Sequence, residues 1–204
     1  MVFEHVHISK GVSKLGANIP SVSLPPGVTC RPDSPCYAKC YARKGRFSFP
    51  KIKSLIQTNL DIWNADPVSF ERDVQIAAFS VRFFRWHVAG DIPDTKYFEM
   101  MVRIAKSLPD TRFLAFTKQF EIVNNYLSHA NLPSNLTIVL SAWGDFVPEN
   151  PHNLPVAYVR LKKKSQTFPP FARQCGGYCG KCVMTEESNC WNLKPGQAVV
   201  FEEH

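Results

Sequence analysis

The chain has 204 residues, of which 45% are hydrophobic and 20% charged, with a formal net charge of +7. That composition supports a sizeable core and excludes a disordered chain, and no apolar run approaches the roughly 20 residues of a membrane span. The opening "MVFEHVHISKGVSK" has no signal-peptide hydrophobic region, so a soluble cytoplasmic protein is expected. The basic balance points to an anionic partner, nucleic acid or a nucleotide first, and equally to a merely solvated basic surface.

In chain order, "SVSLP" (21–25) reads as a short strand stopped by Pro25 and Pro26. The loop "CRPDSPCYAKCYARKGR" (30–46) follows it. The spacing of Ile52, Leu55, Ile56, Leu60 and Trp63 predicts a helix over 51–64. A second helix is expected over 66–81, with Asp66 as its N-cap and Pro67 at its first position. "RFFRWHVAGD" (82–91) reads as a buried strand running into a Gly90–Asp91 turn. Arg85 and His87 alternate along it and are expected on one face. Arg85 would meet Asp91 or a bound carboxylate, and His87 would be a satisfied core histidine.

A helix over 94–108 follows, capped by Asp94, with Tyr97, Met100, Met101, Ile104 and Leu108 as its inner stripe. A strand over 112–118 ends at Lys118, and a helix over 119–129 carries Phe120, Val123 and Leu127. Strands are predicted over 135–145, ending at Gly144–Asp145, over 156–161, and over 198–204 after a cysteine-rich stretch.

Strands alternating with helices predict a parallel α/β sheet or barrel. The chain is shorter than the roughly 250 residues of an eight-fold barrel. A shortened, partial β/α barrel of about five or six mostly parallel strands is therefore expected. It would fill residues 1–165, with the cysteine-rich segment 166–204 packed on it. Functional groups in such folds sit on loops after strands. The first cysteine loop, "AGD" (89–91), Lys118 and "AWGD" (142–145) should then converge at one mouth.

Seven cysteines make an odd count, three within 30–40 and four within 175–190. With no export signal, a disulfide scaffold is not expected. Two clusters point to two metal sites, or to one site assembled from both ends. Cys30, Cys36 and Cys40 can hold three irons of a 4Fe–4S cluster and leave the fourth iron open. Zinc with a ligand from elsewhere is the alternative. Cys175, Cys179, Cys182 and Cys190 suit a tetrahedral zinc site or a further cluster. Gly176, Gly177 and Gly180 allow close wrapping of the backbone there. His204 can replace one of these cysteines.

Asp91 and Asp145 each close a Gly-Asp pair after a strand. Either can act as acid or base, position a ribose hydroxyl or bind metal; either can equally be a turn residue or cap. Lys118 can meet an anion or simply start a helix. Arg43, Lys44, Arg46, Lys51 and Lys53, with Arg160 and Lys162–Lys164, are the contacts expected if nucleic acid binds, with Phe47 and Phe49 able to stack on bases; such runs are more often a solvated face.

The strand, the three-cysteine loop ending in "CYA" and the later strand-end Gly-Asp resemble the radical S-adenosylmethionine enzymes. The resemblance implies that Cys30, Cys36 and Cys40 hold a cluster whose open iron binds the amino and carboxylate groups of S-adenosylmethionine. Ala89, Gly90 and Asp91 would contact its methionine moiety, with Tyr41 and Ser141 as further cofactor contacts. An electron donor would be a partner. The spacing, C-x5-C-x3-C, is wider than that family's C-x3-C-x2-C, and one glycine stands where two are usual. The chain also resembles, over nearly its whole length, small phage-encoded proteins with a "CYA" loop, a "GD" turn and a C-terminal cysteine cluster. An iron–sulfur protein modifying a nucleotide or nucleic-acid base is the leading expectation. One rival is a zinc-containing base-exchange enzyme using Asp91 and Asp145 as nucleophile and general base. The other is a non-enzymatic nucleic-acid-binding module stabilised by a cluster or zinc.

Overall fold

The computed structural model describes residues 5–11, 14–16, 18–162, 164–185 and 189–203; His204 and Lys163 lie outside them. Its strands are β1 (Ile8–Ser9), β2 (Ser21–Val22), β3 (Phe83–Trp86), β4 (Arg112–Thr117), β5 (Leu136–Ser141), β6 (Val156–Arg160), β7 (Arg173–Gln174) and β8 (Ala198–Glu202). The helices are α1 (Pro50–Ala65), α2 (Pro67–Ala78), α3 (Thr95–Ser107), α4 (Phe120–Leu127) and the single turn α5 (Cys179–Cys182).

The strands form one mixed sheet in the order β1-β2-β3-β4-β5-β6-β8-β7. Among the described residues only β1 runs antiparallel to its neighbour; every other strand pairing is parallel. From β2 through β6 to β8 the strands stand side by side in chain order, so the sheet is wound in one direction. Six of the eight strands are those the sequence predicts. The additional two, β1 and β7, are two residues long; β2 is as short, Ser21–Val22 of the predicted 21–25.

Local chemistry sets the helix starts. The Asp66 carboxylate accepts the Ser69 amide at 3.1 Å, beside Pro67. Asp94 accepts the Tyr97 amide at 2.8 Å and the Trp63 indole N–H at 3.0 Å, so one cap also ties α1 to α3. The second helix ends at Ala78 rather than at 81: Phe79 turns extended, with ψ 136°, and Ser80 takes a left-handed φ of 65°.

Alternation along the strands divides the core in two. Phe84, Trp86, Phe113, Ala115, Ile138 and Leu140 point to the face covered by α1 to α4. Phe83, Leu114, Val139, Ala157 and Val199 point to the opposite face, which no long helix among the described residues covers. There they meet Leu15 and Ile19 from the N-terminal stretch, Trp191 and Leu193 from the cysteine segment, and part of Cys175, Cys179 and Cys190.

Hydrogen bonds fasten the cysteine segment to that face. The Trp191 indole N–H donates to the Phe84 carbonyl at 3.0 Å, and Thr137 donates to the Trp191 carbonyl at 2.7 Å. The Cys175 amide donates to Val200 and the Cys179 amide to Lys14. Among the described residues no helix is long and apolar enough to cross a membrane.

The structure corrects the expectation for Arg85 and His87. The strand stops at Trp86, and His87 takes a left-handed φ of 51°. That turn swings the imidazole to the helix side, where Nε2 lies 3.1 Å from the Tyr97 hydroxyl. Arg85 keeps the strand geometry and points to the other face, against Phe116.

Candidate functional site

A cavity of about 230 Å³ opens on the face of the sheet away from α1 to α4, at the C-terminal end of the parallel strands. Arg85, Leu114, Phe116, Ser141, Val159 and Phe201 form its walls, and all seven cysteines line it. Thiols from both ends of the chain therefore share one space.

The first cysteine loop leaves β2 and is fixed at its base by backbone contacts. The Leu24 amide donates to the Ala89 carbonyl at 3.0 Å, and the Val28 and Thr29 amides turn back onto Pro25. The Asp91 amide donates to the Thr29 hydroxyl at 2.9 Å, and Gln119 donates to the Thr29 carbonyl at 3.0 Å. The residue before Cys30 is thus held from two later loops. Further along, the Tyr37 hydroxyl donates to the Gly27 carbonyl, the Arg43 guanidinium stacks on the Tyr37 ring, and Tyr41 donates to the Val88 carbonyl. Ser34 Oγ lies 3.1 Å from Cys36 Sγ. Burial pushes the Cys30 thiol up to about 11, and Asp91, Cys40 and Cys36 push the same way.

The second set is built around β7 and α5. The Gly177 amide donates to Cys175 Sγ at 3.4 Å. Cys179 and Cys182 lie at the two ends of the α5 turn. Burial pushes the Cys190 thiol up to about 12; Arg85 acts against that, while Cys175, Cys179 and Cys182 add to it. Each cysteine set is in electrostatic reach of its own members. All seven thiols are free. Among the described residues, no three His, Cys, Asp or Glu side chains stand close enough together to hold a single metal ion.

Of the other residues expected at the site, Tyr41, Ala89, Gly90, Asp91, Lys118 and Ser141 all line the cavity. Asp91 is 6% exposed and its carboxylate is fully engaged. It accepts the Thr117 hydroxyl at 2.6 Å, the Lys118 amide at 2.8 Å and the Ile92 amide at 2.8 Å. Burial raises its pKa, and these hydrogen bonds oppose the rise. Asp91 works as a clasp between the loops after β2, β3 and β4. Its expected partner Arg85 instead donates Nε–H to the Trp86 carbonyl at 3.0 Å.

Asp145 has another fate. Its side chain is 95% exposed, pairs with Lys164 at 3.1 Å, and is not among the residues lining the cavity. The predicted strand ends at Ser141, and Trp143 and Phe146 close a tight turn that carries Asp145 outward.

Glu203 joins the second basic segment to the first cysteine loop: it accepts from the Lys162 amide at 2.9 Å and from the Lys39 ammonium at 3.3 Å. Lys39 and Arg43 line the cavity, whereas Phe49 is exposed.

Sequence reasoning missed Thr29, Thr117 and Tyr178. Thr117 ends β4 and so had a positional signal. Tyr178 sits between the second set's cysteines and leans over Gly180, where an added β-carbon would come within 2.7 Å of its ring hydroxyl.

Residues 6–182 match the family model described as Gene product 88. The match takes in the first cysteine loop and Cys175, Cys179 and Cys182. No curated protein and no solved structure matches the chain.

Proposed function

We propose that this chain, which belongs to the Gene product 88 family, is an iron–sulfur protein with a partial β/α barrel like that of the radical S-adenosylmethionine enzymes. Cys30, Cys36 and Cys40 would hold a 4Fe–4S cluster with one open iron. Cys175, Cys179, Cys182 and Cys190 would hold a second metal centre, a cluster or zinc.

One observation carries this reading: all seven cysteines, clustered at opposite ends of the sequence, line a single cavity. Thiols used only as core filler have no reason to converge. The donor set is entirely sulfur, which suits iron–sulfur or zinc chemistry and not the hard cations. The thiols stand wider than one ion requires. A 4Fe–4S cluster spreads its thiolates over several irons, so the first loop suits a cluster better than zinc.

Bound there, the cluster would supply an electron from a partner donor for reductive cleavage of S-adenosylmethionine, generating a radical that abstracts hydrogen. The chain's own part is positioning. Gly90 lets the loop after β3 pass close against Leu24, while Tyr41, Ser141 and Lys118 present a ring, a hydroxyl and a cation to the same space. Aromatic walls from Phe116 and Phe201 and the cations at the rim fit a nucleotide or nucleic-acid base. The base-exchange rival needs Asp91 and Asp145 together, and only Asp91 lines the cavity.

The test is electron paramagnetic resonance of the anaerobically purified, reduced protein, with and without S-adenosylmethionine. A changed cluster spectrum supports the reading. A spectrum indifferent to S-adenosylmethionine rejects the radical chemistry. In that case a salt-sensitive gel shift with DNA or RNA would favour the binding module.

A further inference from the structure

An arginine drawn out of bulk water needs partners for its N–H donors and for its permanent charge. Arg85 stands within β3, in register with Ser21 of β2 and Leu114 of β4, and points to the face away from α1 to α4. Its guanidinium lies over the Phe116 ring, 4.2 Å from the ring centre, and Nε–H is taken by the Trp86 carbonyl at 3.0 Å. Among the described residues its two terminal nitrogens have no hydrogen-bond partner, and its charge has no carboxylate. Neither nitrogen is sealed off, and Arg85 lines the cavity, so this open fork faces that space.

The surrounding wall is unbalanced in the same sense. Phe116 meets Phe201 edge to face at 5.4 Å, and Lys14 lies over the Phe201 ring at 5.0 Å, so two rings stand between two cations. Lys14, Arg43 and Lys118 line the cavity, and none has an ion-pair partner among the described residues. The carboxylates at the cavity, Asp91 and Glu202, are already engaged. Asp91 accepts from Thr117, Lys118 and Ile92, and Glu202 from Arg160 and Gln174. What the cavity has left to offer a ligand is positive charge and N–H donors.

The free edge of the Arg85 guanidinium presents paired donors that match two oxygens of one phosphate or carboxylate. A phosphate monoester carries about two negative charges near neutral pH, and so answers several unneutralised cations better than a carboxylate does. We propose that Arg85 is the receptor for a phosphate monoester on a small ligand of this cavity, with Lys14 as a second, more distant cation. A mononucleotide is the case that fits the preceding reading. From that reading the inference takes only that this cavity receives the substrate; it requires no metal centre. Because Arg85 is carried by a strand and held by Phe116 and the Trp86 carbonyl, the receptor is set before the ligand arrives.

The test is isothermal titration calorimetry on the full chain at constant ionic strength. The probes are nucleoside monophosphates, the matching nucleosides, inorganic phosphate and acetate. A monophosphate should bind about 10- to 100-fold more tightly than its nucleoside, the loss expected when charge-assisted hydrogen bonds are removed. Inorganic phosphate should compete with it and acetate should not. Arg85→Gln should abolish the preference for the phosphorylated probe, Arg85→Lys should keep part of it, and Lys14→Gln should reduce it by less. Arg103→Gln removes an equal charge from the Glu71 ion pair, outside the cavity, and should change nothing.

No preference for any monophosphate in the parent chain overturns the inference, and so does a preference that survives Arg85→Gln. Acetate competing as well as phosphate also overturns it, since the site would then be a carboxylate receptor. If Arg85→Gln does not fold, Arg85→Lys and Lys14→Gln decide, and a preference unchanged in both is the contrary result. Iron content measured on the same samples separates the two readings. A chain without iron that still prefers the monophosphate upholds this inference while the cluster falls, and a chain with iron and no preference does the reverse.

Discussion

A β-carbon added at Gly90 would lie 2.5 Å from the Leu24 carbonyl oxygen. The loop after β3 thus crosses the loop after β2 backbone to backbone, and Gly90 also takes a φ of 79°. This crossing seats the base of the first cysteine loop.

Gly90→Ala is therefore expected to cost more than about 2 kcal/mol, combining left-handed strain with overpacking against an unyielding carbonyl. That corresponds to a melting point lower by about 4–8 °C for a chain of this size. Gly45→Ala is the control, since Gly45 also has a positive φ, 55°, but nothing within 4 Å of an added β-carbon. Thermal unfolding of both variants checks the difference; equal losses would leave the crossing without energetic weight.

The Asp91 clasp makes a separate prediction. Asp91→Ala leaves the Thr117 hydroxyl and the Lys118 amide without their acceptor, at a cost of about 2–4 kcal/mol. Asp91→Asn keeps an acceptor and relieves a buried charge, so it should cost less. Asp145→Asn, at an exposed ion pair, should leave stability unchanged within error. Urea unfolding of the three variants decides; a costly Asp145→Asn would contradict the placement of that residue.

His87 confers a pH dependence whose sign is set by its burial. Burial first, and Arg85 second, lower its pKa from 6.5 to about 3. Between those values the unfolded chain binds a proton that the folded chain refuses. Stability is therefore full above about pH 6.5 and falls by about 1.4 kcal/mol for each pH unit below it, down to about pH 3. Urea titrations between about pH 7 and pH 5 should show this slope in the parent and a shallower one in His87→Gln. Identical slopes would mean that the imidazole is protonated in the fold.

Much of this framework is legible in the sequence, because local chemistry specifies it. The caps at Asp66 and Asp94, the stripe of α3 and the strands β2, β3, β4, β5, β6 and β8 follow from side-chain type and spacing. What is not legible depends on tertiary contacts. Gly90–Asp91 and Gly144–Asp145 are the same pair of letters after two strands. One aspartate is drawn inward by Thr117 and Lys118, and the other is carried outward by the Trp143–Phe146 turn. The period-two expectation for Arg85 and His87 fails because the left-handed turn at His87 lies inside a run that reads as strand. The first loop's place at the mouth follows from its position after β2. The second set's arrival there depends on Trp191 docking beneath the sheet, over a hundred residues from its partner Phe84.

The central claim is tested most directly by the metal content of the protein purified without oxygen. The account predicts a brown protein containing iron and acid-labile sulfide, with Cys36→Ala losing one centre and retaining the one held by Cys175, Cys179, Cys182 and Cys190. A colourless protein containing zinc and no iron would contradict it.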